Sequence, residues 1–251
     1  MENKRGKSKK AQLTIFIIIA VVMVAVVLSV IFIQRGGEAP QAEVQVVKEY
    51  LDSCFEEKAK ETILENARKG FYYELSEEKI SFLDEKTAYY FKNGEVLVPG
   101  TTTVEQQFAL AMDKKILPCL ALTQFRNEYE ITRQDCFSEA KLNDDSVQFS
   151  INCPMTIKKD GVTATLEDFE TTIFCNARKL INVSSLLIDE YKKKPGYVCI
   201  TCFDEIADAN NVKIDIIPIT KEVFIPEHIW FIIQDKEKID DKNFTLRFVT
   251  D

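Results

Sequence analysis

The chain has 251 residues, of which 46% are hydrophobic and 29% charged, a length and composition for one large folded domain or two small ones and not for a disordered chain. Eight glycines and seven prolines exclude collagen-like and low-complexity architectures. The net charge of −8 argues against nucleic acid as a partner, and it is unevenly placed: residues 1–11 carry five basic side chains against Glu2, and setting that net +4 aside leaves −12 on the rest.

The first predicted element runs from Leu13 to Ile33. It has no charge, no glycine and no proline, and its only polar side chains are Thr14 and Ser29. As a helix at about 1.5 Å per residue, this run of roughly 21 residues reaches ~31 Å, the thickness of a bilayer core. A helix buried in a globular domain keeps a polar face, and this one has none. A secretory signal peptide has a shorter apolar core and a small-x-small cleavage site, which the following Gln34-Arg35-Gly36-Gly37 stretch does not offer. The basic residues stand before the span and only Arg35 follows closely, so the positive-inside rule keeps the N-terminus cytoplasmic and puts the rest outside. The expected layout is a basic leader over 1–11, a transmembrane helix over 12–34, a linker over 35–43 and an extracytoplasmic domain over 44–251, subdivided near 126. That is a single-pass plasma-membrane protein with the lipid bilayer as its first partner, and a homo- or hetero-oligomer through the transmembrane helix is the second partner considered.

The junction ahead of the span reads Lys7-Ser8-Lys9-Lys10-Ala11-Gln12-Leu13-Thr14-Ile15-Phe16. It resembles the class III signal of archaeal type IV pilin-like proteins. The resemblance implies cleavage between Ala11 and Gln12 on the cytoplasmic side, leaving the span in the mature chain. Many pilins place glutamate at the fifth mature position, where it pairs with a neighbouring subunit's N-terminus. Phe16 stands there in this chain, which counts against filament assembly and not against membrane residence. Further segments, namely Tyr50-Leu51-Asp52-Ser53-Cys54, Ile116-Leu117-Pro118-Cys119, the Pro154–Lys159 run and the Pro195–Cys202 run, are similar to a group of single-span proteins of small-genome archaea. That resemblance implies topology and architecture and supplies no reaction.

Beyond the linker, Val44, Val47, Leu51, Phe55, Ala59, Ile63 and Ala67 recur every three or four residues and predict a helix over about 44–69, with Gly70 at its C-terminal cap. Phe71-Tyr72-Tyr73 reads as a strand, and Thr87 to Val98 as a hairpin turning at Asn93-Gly94. A second helix should start near Thr102, where Thr102 and Glu105 have capping-box spacing, and bury Val104, Phe108, Ala111, Met112 and Ile116 before Pro118 stops it. Residues 128–175 read as an antiparallel meander. Its apolar parity changes from even (Val162, Ala164, Leu166) to odd (Phe169, Ile173, Cys175), which predicts a bulge near Glu167-Asp168. Helices over about 178–193 and 199–209 and short strands over 212–217, 228–234 and 244–249 complete the chain. No βαβ rhythm is present, so the fold class is α+β: an N-terminal transmembrane helix, then helices packed on antiparallel sheet.

All seven cysteines lie beyond the span, in a space expected to be oxidising. Cys54 and Cys119 lie on or beside the apolar stripes of the first two outer helices, which could bring their sulfurs within bonding distance; buried reduced thiols are the alternative. Cys199 and Cys202 form a CxxC at a helix start, the geometry of thiol–disulfide exchange. No strand precedes the motif and no second ligand pair accompanies it, so a local structural disulfide or a pair of buried thiols is favoured over redox work and over zinc. His228 is the one histidine and reads as a strand residue, which counts against Ser-His or Cys-His catalysis. No phosphate-binding glycine motif occurs, and no metal or other cofactor is expected. Asn182-Val183-Ser184 and Asn243-Phe244-Thr245 are glycosylation candidates. The leading expectation is a surface-exposed, non-enzymatic protein with a structural, adhesive or pilin-like role. The alternatives are an extracytoplasmic thiol–disulfide oxidoreductase using Cys199 and Cys202, and a ligand- or partner-binding sensor module with a concave apolar pocket.

Overall fold

The computed structural model describes Met23 and residues 39–75, 79–82, 85–222 and 225–251. The leader, the cleavage junction Ala11-Gln12 and, apart from a helical and exposed Met23, the span over 12–34 lie outside the described residues. Among the described residues no helix is long and apolar enough to cross a membrane.

Helix α1 spans Ala39–Arg68, so the last part of the stretch read as a linker, 39–43, is helical. Pro40 falls in the first turn, where a missing N–H costs nothing. All seven residues of the apolar stripe, Val44 to Ala67, are buried. Each large member contributes about 1.5–3 kcal/mol of transfer free energy, which is what orders the helix. The helix stops in paired bonds from Phe71 N–H to the Asn66 carbonyl and from Gly70 N–H to the Ala67 carbonyl. Gly70 has φ +79°, and a Cβ on it would lie 3.2 Å from Ala88 Cβ and 3.2 Å from the Tyr90 ring. The strand expected at 71–73 is not formed. Phe71 takes φ 59° to finish the cap and drops its ring between Phe108 and Phe244, while the Tyr73 and Glu74 N–H groups donate to the Gln107 side chain.

One sheet is built on β2 (Glu85–Lys92). It pairs antiparallel with β1 (Lys79–Phe82) and with β3 (Glu95–Val96), and parallel with β10 (Lys242–Thr250). Then β9 (Ile225–Ile239) and β8 (Val212–Glu222) follow antiparallel. The β2–β3 turn has positive φ at both Asn93 and Gly94, the twist a two-residue hairpin needs. The three C-terminal strands are longer than the sequence pattern suggested. Their register stacks Tyr90 on Phe248 and Phe248 on Phe231, with centroids 4.5 and 5.1 Å apart.

Helix α2 (Thr101–Lys115) buries Val104, Phe108, Ala111 and Met112 as expected, but the capping box does not form. Gly100 is the N-cap without a side-chain bond, and Glu105 Oε1 instead accepts the Leu142 N–H at 2.9 Å. A tertiary bond to a neighbouring strand has replaced the local one. Two 3-10 turns, Cys119–Ala121 and Thr123–Phe125, bridge the point near 126 where a subdivision was expected, and one core cluster runs across it from Val44 to Phe248.

The second sheet has β6 (Ser146–Lys159) at its centre. On one side β7 (Val162–Phe174) pairs along its length; on the other, β5 (Phe137–Leu142) and β4 (Glu130–Arg133) lie end to end. This is not a simple meander, since two strands share one edge of β6. Pro154 lies inside this central strand and cannot donate to a ladder. The register shifts between Asn152 and Met155, so that Cys153 and Pro154 stand opposite Glu167. The bulge foreseen at Glu167-Asp168 is therefore in place, but the extra residue is on β6. Helix α3 (Ala177–Lys193) follows β7, and α4 (Ile200–Asn210) packs on α3 and β8. The described domain is mixed α+β. Helix α1 packs on β7 of one sheet and β10 of the other.

Candidate functional site

Six of the seven cysteines are joined in three disulfides, and they differ in burial and reach. Cys54, half-buried on α1, joins fully buried Cys119 across a separation of 65 residues and ties α1 to the turn after α2. Cys136 joins Cys153 across 17 residues. Cys136 lies in the gap between β4 and β5, and fully buried Cys153 lies beside Pro154 at the bulge, so this bond closes the point where the β6 ladder is interrupted. The Gln134 N–H adds a 2.9 Å bond to the Pro154 carbonyl there. Sequence reasoning did not pair these two. Cys153 was legible as an inward residue of β6, but the gap that brings Cys136 to it depends on how two strands share an edge.

The third disulfide is local. Cys199 and Cys202 are three residues apart and bonded, at the start of α4. Cys199 is the N-cap, and its sulfur accepts the Cys202 N–H at 3.3 Å. Thr201 Oγ1 stands 3.7 Å from the same sulfur. Both cysteines are half-buried. The loop before them is held by the Gly196 N–H donating to Tyr191 Oη and by Lys194 over the Tyr197 ring at 4.5 Å. Tyr197 is 55% exposed and Ile200 67% exposed, so apolar side chains stand in water just before the motif and within it. Behind it, between α3 and α4, is a cavity of about 300 Å³ whose lining includes Leu186, Glu190, Cys202, Glu205 and Ile206. Cys202, Glu205/Ile206 and Ala209 follow one another at helical spacing, so the sequence carries this face of α4.

Cys175 is the free thiol, buried at the junction of β7 and α3. Burial pushes its pKa up to about 12, with the negative charges of Asp235 and Asp145 adding to the shift. It is an inert packed thiol, not a nucleophile. Asp235 itself is buried on β9; its Oδ1 accepts from Lys179 Nζ at 2.8 Å and from the Glu237 N–H at 3.2 Å.

The other candidates sit apart from the CxxC. His228 lies on β9 with Nδ1 3.4 Å from Tyr89 Oη, half-buried among strand residues. Asn243 is exposed at the start of β10. Asn182 is exposed in the middle of α3, but Ser184 of its sequon is fully buried and donates to the Ile181 carbonyl. A cavity of about 330 Å³ on the solvated face of the second sheet is lined by Phe137, Glu139, Asn152, Asp168 and Glu170 among others. One of about 540 Å³ at the β6–β7 turn is lined by charged residues, including Glu128, Lys158 and Asp160. Among the described residues no group of three or more His, Cys, Asp or Glu side chains is placed to hold a metal ion. The chain matches no protein-family description, no curated protein and no solved structure.

Proposed function

We propose that the chain is a single-pass membrane protein with its N-terminus in the cytoplasm and its α+β domain outside, where it serves as a structural or adhesive surface element without catalysis. The uncharged Leu13–Ile33 run and its basic flank supply the anchor and the orientation. The observation that carries the placement is the pair of disulfides whose second sulfur is fully buried, at Cys119 and Cys153. Bonds built into a core form and persist in an oxidising space and are rare in the cytosol. Pilin-type processing between Ala11 and Gln12 rests on the resemblance of the leader, and Phe16 sets the protein apart from subunits that pair through a fifth-position carboxylate. The bilayer is its constant partner, and association with itself or other chains runs through the span.

Protease added to intact cells will cleave within 36–251 and leave the leader protected. Protection of the whole chain, with cleavage only after permeabilisation, refutes the topology. N-terminal sequencing of the native protein will read from Gln12; a chain that starts at Met1 or Glu2 is an ordinary anchor, and the pilin-type reading is then dropped.

A further inference from the structure

We infer that the Cys199–Cys202 disulfide is an exchange site that oxidises a pair of thiols on an apolar, basic segment of another protein. Four features of the site meet there. The bond is the most local of the three and, unlike the other two, has neither sulfur on a fully buried residue. Exposed disulfides are the ones that thiols reach and open. The Cys199 sulfur caps α4 and already accepts the Cys202 N–H, so a thiolate formed there inherits that bond and the positive end of an 11-residue helix. Cys202 lines the cavity between α3 and α4, whose apolar wall is Leu186 and Ile206 and whose acidic residues are Glu205 and Glu190, the latter already paired with Lys193, so that Glu205 is the carboxylate offered to a client cation. An apolar side chain fits that wall, and a lysine or arginine beside it fits Glu205.

The steps balance without a further reagent. A client thiolate in the cavity attacks Cys202 Sγ. The Cys199–Cys202 bond breaks and its electron pair leaves on Cys199 Sγ, the sulfur best placed to hold negative charge. The client's second thiolate then attacks its own sulfur in the mixed disulfide and expels Cys202. The client is oxidised by two electrons to a disulfide, and Cys199 and Cys202 end as a dithiol that takes up the two protons. Each chain acts once in this scheme, so the activity is separate from the structural role proposed above and does not depend on it.

The test uses the full chain in detergent and a synthetic reduced peptide with two cysteines, two leucines and a lysine; reduced glutathione is the small control thiol. Alkylation and mass mapping should show Cys199 and Cys202 opening with about one peptide disulfide formed per chain, while Cys54, Cys119, Cys136 and Cys153 stay bonded. Samples quenched early in acid should carry the peptide on Cys202. Ile206→Asp should slow the peptide reaction at least tenfold and leave the glutathione reaction within twofold. Opening of all three disulfides together, an early adduct on Cys199, or an Ile206→Asp variant that slows both thiols equally overturns the inference. Because the four other half-cystines report the fold in every sample, an unfolded variant is told apart from an inactive one.

Discussion

Two pairs of helices cover the sheets of this domain, and each pair carries a disulfide, but the bonds do different things. Between α1 and the turn that follows α2, the bond from Cys54 to Cys119 reaches across 65 residues and ends on a fully buried residue. In α3 and α4 the bond spans three residues, stays within one helix start and faces an open cavity. Chain entropy scales with the loop that is closed, so the first bond restrains the unfolded chain strongly and the second weakly. The α3–α4 pair is fastened by other means: the buried stripe of α3, and Lys179 bound to Asp235 of β9. A cysteine pair thus reads as a staple or as a reactive group by what it spans and what surrounds it.

The largest expected effect sharpens that contrast. Replacing Cys54 and Cys119 with alanine should cost about 4 kcal/mol in chain entropy, against about 1.5 kcal/mol for Cys199 and Cys202, as read from denaturant midpoints. Equal losses would erase the difference between the two helix pairs. Next, Lys179→Met removes the cationic partner of the buried Asp235 side chain and should cost about 3 kcal/mol, near the low end for a broken buried pair because Lys179 is itself partly exposed; the double variant Lys179→Met with Asp235→Leu should recover much of it. Third, Gly70→Ala at the end of α1 combines a left-handed backbone with contacts to Ala88 and Tyr90, and should cost about 2 kcal/mol; Gly94→Ala, whose Cβ meets nothing, should cost less.

The smallest effect is the pH dependence between pH 9 and 10 at the β7–α3 junction. The Cys175 thiol has a folded pKa raised from 9.0 to about 12, so its neutral form is favoured by folding. That contribution is whole below pH 9 and is lost as the pH climbs from 9 through 12, at up to about 1.4 kcal/mol per unit. Burial also raises Tyr90 and Tyr72 above their usual 10.0, so the window between 9 and 10 reports Cys175 best. Cys175→Ala should flatten the stability profile there; an unchanged slope assigns it to another group.

Local pattern was enough for whatever depends on one element's own period. The stripes of α1 and α2, the Asn93-Gly94 hairpin, the alternation of β6 and the cap at Gly70 follow from side-chain spacing and backbone sterics, which act within a few residues. The sequence also limited the chemistry, with one histidine and no phosphate-binding loop, and it placed Cys54 and Cys119 on stripes that face a common core. Tertiary structure decided the rest. Glu105 left the helix cap for the Leu142 N–H, because a strand packed beside it offers a donor that no local rule can see. Phe71 finishes a helix and does not start a strand, because its ring is held between Phe108 and Phe244. The extra residue went into β6 because Pro154 there cannot join a ladder. Cys136 met Cys153 only where two strands share one edge, and the cavity at Cys202 exists only because α4 folds back on α3. Each of these turns on residues far apart in the chain, whose approach is set by the packing of the whole core.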